Sequence, residues 1–185
     1  MFQLHVDHQI HLRMLAARDA EALYKITNES RQHLKKWLPW LNDIKSDSDS
    51  MAFIKNSFQV YNNRQGIIAG IFFEENLVGV IGFNTLDFRN NIGYIGYWLA
   101  ESFQGKGIMT KSVEALISYG FLELSLNRID IRVASKNTRS RAIAERLGFI
   151  NEGVIRQAEW LYDHYVDHII YGMLKEEWNH KDQNS

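Results

Sequence analysis

Apolar positions along this chain change period several times, and each change predicts an element. A short apolar segment over 10–15 reads as a strand, after which Ala16, Ala20, Leu23 and Thr27 keep helical spacing in a helix from about Asp19. The run Asp47-Ser48-Asp49-Ser50 offers helix N-caps, and Met51, Ile54, Phe58 and Tyr61 then recur at offsets of three and four until Asn62-Asn63. Three apolar runs rich in Ile, Val, Phe, Tyr and Trp follow, over 66–73, 77–86 and Ile92–Leu99. Polar breaks at 74–76 and 87–91 make them an expected antiparallel meander.

From Gly107 the period is helical again, with Met109, Val113, Leu116, Ile117, Phe121 and Leu124 along one face. Ile129, Ile131 and Val133 then alternate with Asp130, Arg132 and Ala134, a half-buried strand. A helix from Asn137 carries Ser140, Ile143, Ala144 and Leu147, and Gly148 is placed to end it in a left-handed conformation. Two last strands, about 154–161 and 165–174, are joined by a turn near Asp163. The order β-α-α-β-β-β-α-β-α-β-β predicts an α/β (α+β) fold, a partly antiparallel mixed sheet with helices on its faces.

Composition narrows the chemistry. With 185 residues, one proline (Pro39), no internal repeat and no Gly/Ser-rich linker, one domain over 1–185 is expected. The absence of cysteine excludes thiol nucleophiles, thiolate metal sites and disulfides. The seven histidines have no metal-ligand spacing, so no metal is expected. Lys+Arg at 21 against Asp+Glu at 22 argues against a nucleic-acid coat. His5, Asp7, His8, His11 and Arg13 break up the N-terminal apolar residues, and no run approaches a membrane span, so a cytoplasmic protein without membrane contact is expected.

The sharpest chemical feature is the segment 104–110, QGKGIMT, between the strand Ile92–Leu99 and the following helix. A strand, a glycine-rich turn and a helix N-terminus together offer free backbone amides and a positive dipole end to an anionic phosphate. Two nucleotide motifs come close and fail. GKGIMTKS lacks the second glycine of a Walker A loop, where Thr110 stands, and the same residue breaks the dinucleotide fingerprint.

A second segment follows the alternating strand: Asn137-Thr138-Arg139-Ser140, then Leu147-Gly148-Phe149. Taken with Gln104-x-x-Gly107, it resembles the GNAT acetyltransferase superfamily, in particular its RimJ/RimL-type branch of ribosomal-protein N-terminal acetyltransferases. The likeness continues in order at His11-Leu12-Arg13, in the HLKKWLPW run, at Gln157-Ala158-Glu159 and at Glu177-Trp178. It implies a mostly antiparallel central sheet of about seven strands flanked by about four helices, and acetyl-CoA as co-substrate.

The resemblance also implies roles. The amides of Gln104, Gly105, Lys106, Gly107, Ile108, Met109 and Thr110 would cradle the pyrophosphate of acetyl-CoA, while Trp98 and Leu99 would pair with pantetheine. Met109 departs from the small residue usual there. The Leu99 amide is also placed to polarise the thioester carbonyl. Asn137 is expected either to hydrogen-bond pantetheine or to act as a helix N-cap. The tyrosine that many of these enzymes use as general acid is replaced by Ala144, and Ser140 matches the serine implicated in the RimL-type branch. Glu159 matches that branch's glutamate base, which would help because an α-amino group with pKa near ~8 is only partly neutral at pH 7.

Asn28, Glu29, Trp37 and Trp40 are candidates for holding the amine substrate. Residues 128–146 carry six basic groups against two acids, and 152–177 six acids against two basic groups, which suits an anionic cofactor and a cationic amine. The expected reaction is direct attack of an amine in a ternary complex, the amine being a protein N-terminus such as a ribosomal protein's. A small polyamine or aminoglycoside, and a CoA-binding sensor without turnover, are the alternatives. Aromatic segments near Trp37 and over 162–171 make a homodimer an expectation as well.

Overall fold

The computed structural model describes residues 1–182, with side chains through Trp178. Eight strands form a single sheet among these residues: β1 Gln3–His5, β2 Ile10–Arg13, β3 Ile67–Phe73, β4 Asn76–Asp87, β5 Ile92–Leu99, β6 Arg128–Ala134, β7 Ile150–Leu161 and β8 His164–Leu174. The helices are α1 Ala20–Glu29, α2 Arg31–Leu34, α3 Asp47–Asn62, α4 Ile108–Leu122, α5 Thr138–Arg146 and α6 Lys175–Asp182. The sheet runs in the order β1-β2-β3-β4-β5-β6-β8-β7, and every neighbouring pair is antiparallel except β5–β6.

The fold is thus the expected mixed, mostly antiparallel sheet, with one more strand and two more helices than the sequence pattern predicts. The added elements are short or polar. β1 has three residues, and the turn after it is tied by Asp7 Oδ1, which accepts from Gln9 N–H and Ile10 N–H at 2.9 Å. α2 is a single turn, too brief for periodicity to register. α3 begins at Asp47, one turn earlier than its apolar face, because Asp49 Oδ2 accepts from both Ser46 N–H and Ser46 Oγ at 2.9 Å.

The sheet is covered on both faces. α4 packs Ile108, Val113, Leu116, Ile117 and Phe121 against Ile71, Ile81, Phe83, Ile129 and Ile131, all almost fully buried. On the other face α1 and α3 bury Leu23 and Ile54 against Leu15, Phe72, Leu77 and Val80. α4 lies close to the sheet because Gly120 has no side chain: a Cβ there would meet the Phe83 ring at 2.7 Å. No helix among the described residues is long and apolar enough to cross a membrane.

The feature that positions the site is a splay in the sheet. β5 pairs with β6 only over Ile92–Ile95, opposite 128–131, while β5 continues along β4 to Leu99 and β6 along β8 to Ala134. Beyond Ile95 the two parallel strands diverge, and their facing backbone edges are left open to a ligand.

Candidate active site

Two cavities meet at this splay. The larger, about 950 Å³, lies between the C-terminal end of β5, the loop 104–110 and α5. The smaller, about 450 Å³, opens on the other side and is walled by the Trp37–Trp40 loop, β5, β6 and the β7–β8 pair. Trp37, Leu38, Tyr97, Trp98, Asn137 and Ser140 line both, so a molecule in one is adjacent to a molecule in the other.

Gly105 and Gly107 build the loop. Their φ angles are +76° and +75°, in the left-handed region that only glycine enters without strain, and a Cβ on either would meet nothing within 4 Å. The loop therefore needs glycine for backbone direction, and its surface stands open. Gly107 caps α4, whose first intrahelical bond runs from Lys111 N–H to the Gly107 carbonyl at 3.1 Å. The amides of Ile108, Met109 and Thr110 precede that bond and face the cavity at the positive end of a 15-residue helix. These unspent donors fit a phosphate. Gln104, Gly105, Gly107, Ile108, Met109 and Thr110 line the large cavity; Lys106 turns away to lie over the rings of Phe73 and Phe103.

Side chains from α5 and α2 complete this cleft, and the sequence pattern did not single them out. Arg146 Nη1 donates to Thr110 Oγ1 at 2.9 Å, and Arg139 donates to the side-chain oxygen of Gln104. The Gln104 amide in turn meets His33 Nε2 at 2.6 Å, as donor to a neutral imidazole. Burial holds His33 below the usual imidazole range, and nearby Glu101 acts in the other direction. Two arginines thus stand across the cavity from the glycine loop, where an anion between them would be met from both sides.

Leu99 and Asn137 face the junction. Ala100 N–H bonds the Val78 carbonyl at 2.8 Å on the β4 side, and amides alternate direction along a strand, so Leu99 N–H points to the side from which β6 has withdrawn. Asn137 Oδ1 accepts from Ser140 N–H at 3.2 Å, the N-cap of α5. The same residue lines both cavities, so capping and ligand contact are compatible roles.

Ser140 sits beside Tyr97, a residue the sequence reading passed over. Ser140 Oγ donates to Tyr97 Oη at 3.1 Å, and Tyr97 Oη donates to the Ser140 carbonyl at 3.1 Å. Burial pushes the Tyr97 hydroxyl up to about 12, against the pull of its Ser140 hydrogen bond, so it stays protonated.

Glu159 lies in the small cavity, on β7. Its position depends on a bulge: Ile155 pairs with His168 and Glu159 with Val166, so two extra residues are accommodated on β7. Gln157 takes φ +52° there, and its N–H is held by Asp167 Oδ1 at 2.7 Å. Glu159 Oε2 then reaches His168 Nε2 at 3.4 Å.

Trp37 and Trp40 line the small cavity, Trp40 tilted against Trp98 with ring centroids 6.1 Å apart. Their loop is pinned by Tyr162 of the β7–β8 turn, which donates to the Leu38 carbonyl at 2.5 Å and accepts from Leu41 N–H at 3.1 Å. Asn28 and Glu29 are not brought in. They are exposed in the last turn of α1, outside both cavities, and Asn28 Oδ1 is occupied by Arg31 Nε at 3.1 Å.

A splayed sheet with a glycine-lined helix terminus on one side and a carboxylate-bearing cleft on the other is the arrangement of an acetyl-transfer enzyme. The chain belongs to the GNAT acetyltransferase family: the model of the acetyltransferase (GNAT) domain matches residues 9–150. It is 38% identical over 179 residues to YdaF of Bacillus subtilis (strain 168), named provisionally as a ribosomal N-acetyltransferase, covering 96% of this chain and 98% of that protein. Among solved structures it superposes on RimL, a ribosomal L7/L12 α-N-protein acetyltransferase in complex with coenzyme A, with a TM-score of 0.91, 28% identity and coverage of 95% and 99%. The microcin C7 self-immunity acetyltransferase MccE, in complex with acetyl-CoA and AMP, gives a TM-score of 0.87 at 34% identity, covering 91% of this chain and 94% of that one. The protein is an acetyl-CoA-dependent N-acetyltransferase of the GNAT type, homologous to ribosomal-protein acetyltransferases.

Proposed function

We propose that this enzyme acetylates the N-terminal α-amino group of a protein, of the ribosomal-protein class, by direct attack of the amine on acetyl-CoA in a ternary complex. The observation that carries this reading is the meeting of the two cavities at Tyr97 and Trp98 of β5, which allows cofactor and amine to approach from opposite sides. In this reading the amides over 104–110 hold the pyrophosphate, with Arg139 and Arg146 facing them, and the open backbone of Leu99 pairs with pantetheine while Trp98 lines the cleft beside it.

The ammonium gives one proton to Glu159, through a water, and the neutral nitrogen forms a bond to the thioester carbonyl carbon. The carbonyl oxygen gathers negative charge, which the Leu99 N–H stabilises. The C–S bond then breaks, the departing sulfur takes the hydroxyl proton of Ser140, and the second proton of the amide nitrogen returns through water to the Ser140 oxygen, so that one proton, the one taken by Glu159, leaves to solvent. With no cysteine in the chain, no thiol acyl-enzyme forms.

A small amine is the second reading, because the 450 Å³ cavity ringed by Trp37, Trp40 and Trp98 would hold one whole. Thiol release from acetyl-CoA distinguishes the two, using peptides with free or blocked N-termini, a peptide with an internal lysine, and small polyamines and aminoglycosides. Release that needs a free peptide N-terminus is the expected result. Release with small amines alone would move the assignment to them. Cofactor binding with no release across the panel would leave a sensor.

A further inference from the structure

We infer that His168 is the proton acceptor behind Glu159: the base in the amine cleft is a Glu159–His168 pair, and the proton taken from the ammonium comes to rest on the imidazole. This rests on the reading of Glu159 given above and extends it to a residue that no feature of the sequence pointed to.

The geometry carries it. Glu159 and His168 come from neighbouring strands, both line the small cavity, and their side chains meet at 3.4 Å between Oε2 and Nε2. His168 stands opposite Ala134, the last residue of β6 in the sheet, where the splay opens. Both are partly shielded, with side-chain exposures of 17% for His168 and 32% for Glu159. Bringing them together takes the two-residue bulge held by Asp167. The other charged and titratable groups lining this cavity are Asp130 and Arg132 from β6 and Tyr94 and Tyr97 from β5. Asp130 is engaged by Arg128 at 2.6 Å, and Arg132 lies over the Tyr94 ring. The facing loop presents Trp37, Leu38, Pro39 and Trp40, none of which titrates, so Glu159 is the acid in contact with the imidazole.

The chemistry needs such a partner. In water an α-ammonium group releases its proton near pH ~8, a histidine near ~6.5 and a glutamic acid near ~4.3. Handing the proton to a glutamate is therefore unfavourable by roughly 5,000-fold, and to an imidazole by only roughly 30-fold. In the paired arrangement Glu159 takes the proton from the amine and passes it to His168 Nε2. The carboxylate is regenerated and an imidazolium remains beside it, to be discharged to solvent after acetyl transfer. No co-reactant is required. His168 acts on the amine through Glu159 and is a positioning residue in that sense, but its distinguishing property is proton acceptance.

The test compares the wild type with His168→Gln, His168→Ala and Glu159→Gln, measuring kcat by thiol release between pH 6 and 9.5, with acetyl-CoA affinity by calorimetry as a check on folding. Glutamine keeps an N–H for the carboxylate but cannot accept the proton. The inference expects both His168 variants to lose about 10- to 100-fold in kcat near pH 7, to approach the wild type by pH 9.5, and to retain acetyl-CoA affinity. Recovery of activity in His168→Gln overturns it, since the histidine would then only orient Glu159. A loss that is the same at every pH also overturns it. If Glu159→Gln alone shows the pH-dependent loss, this inference fails and the reading of Glu159 stands. If neither residue's variants show it, or the wild type releases no thiol with any amine, both fail.

Discussion

At the scale of single residues, Ser140 has three interactions that constrain it at once. Its N–H is held by Asn137, its carbonyl accepts from Tyr97, and its hydroxyl donates to Tyr97. A hydroxyl whose acceptor is a buried tyrosine is held in one direction. Ser140→Ala is expected to lower kcat by about 100-fold, the scale of a lost general acid, with acetyl-CoA affinity unchanged; wild-type turnover would exclude the acid role. Tyr97→Phe leaves the serine in place and removes its acceptor, so a smaller loss, about 10-fold, is expected in the same assay. Ser140 and Asn137 were legible because they lie in a short motif with a helix start. Tyr97 and His168 were not, since each acquires meaning only from a partner on another strand. Asn28 and Glu29 go the other way: polar residues near a tryptophan-rich run read as cleft residues, and they stand at the exposed end of α1, outside both cavities.

At the scale of elements, a loop closes the amine cleft that the sheet opens. The β7–β8 turn reaches the Trp37–Trp40 loop through one side chain, Tyr162, which makes a hydrogen bond in each direction with the backbone at Leu38 and Leu41. Arg31 adds bonds to the Leu41 and Ile44 carbonyls at 2.5 and 2.6 Å. Each Tyr162 bond contributes about 1 kcal/mol, and both fix a wall of which Pro39 and Trp40 line the amine cavity and Trp37 and Leu38 line both cavities. Tyr162→Phe is expected to raise KM for the amine several-fold and to change KM for acetyl-CoA less. Equal changes in both constants would mean that the Tyr162 bonds serve both cavities alike. The alternating strand β6 and the amphipathic α4 could be read from their periods, and the left-handed Gly148 from its place after α5. The bulge in β7 could not: Ile155 and Glu159 stand four positions apart, and removing two leaves the step even, so alternation is blind to it.

At the scale of the molecule, two long-range ties decide how it responds to acid and to ligand. Lys111 at the start of α4 pairs with Asp7 in the β1–β2 turn at 2.7 Å, and this bond, with the Gln9 and Ile10 amides, holds the Asp7 carboxyl down at about 2. Since the folded value lies below the ordinary one, the pair stabilises the protein above pH ~4, and its contribution disappears as pH falls toward 2. The Tm gap between wild type and Asp7→Asn is expected to narrow from pH 6 to pH 2; a gap independent of pH would remove the pair from the acid response.

The second tie concerns the splay itself. The two halves of the sheet share only the pairing over Ile92–Ile95, and beyond it the cofactor cleft is spanned by side-chain bridges from α5: Ser140 to Tyr97, Arg139 to Gln104, and Arg146 to Thr110. A ligand held between the loop and α5 adds a further bridge at the weakest part of the sheet, and binding to the folded state alone raises stability by about 2.7 kcal/mol at 100 times Kd. For a chain of this length that corresponds to roughly 5–10 °C in Tm. Coenzyme A is expected to produce such a rise in the wild type. In a double Arg139→Ala, Arg146→Ala variant the same concentration should give a smaller one, because the loop amides alone would then hold the phosphates. An equal rise in the variant would assign phosphate binding to the glycine loop and leave the two arginines as bridges of the unliganded cleft.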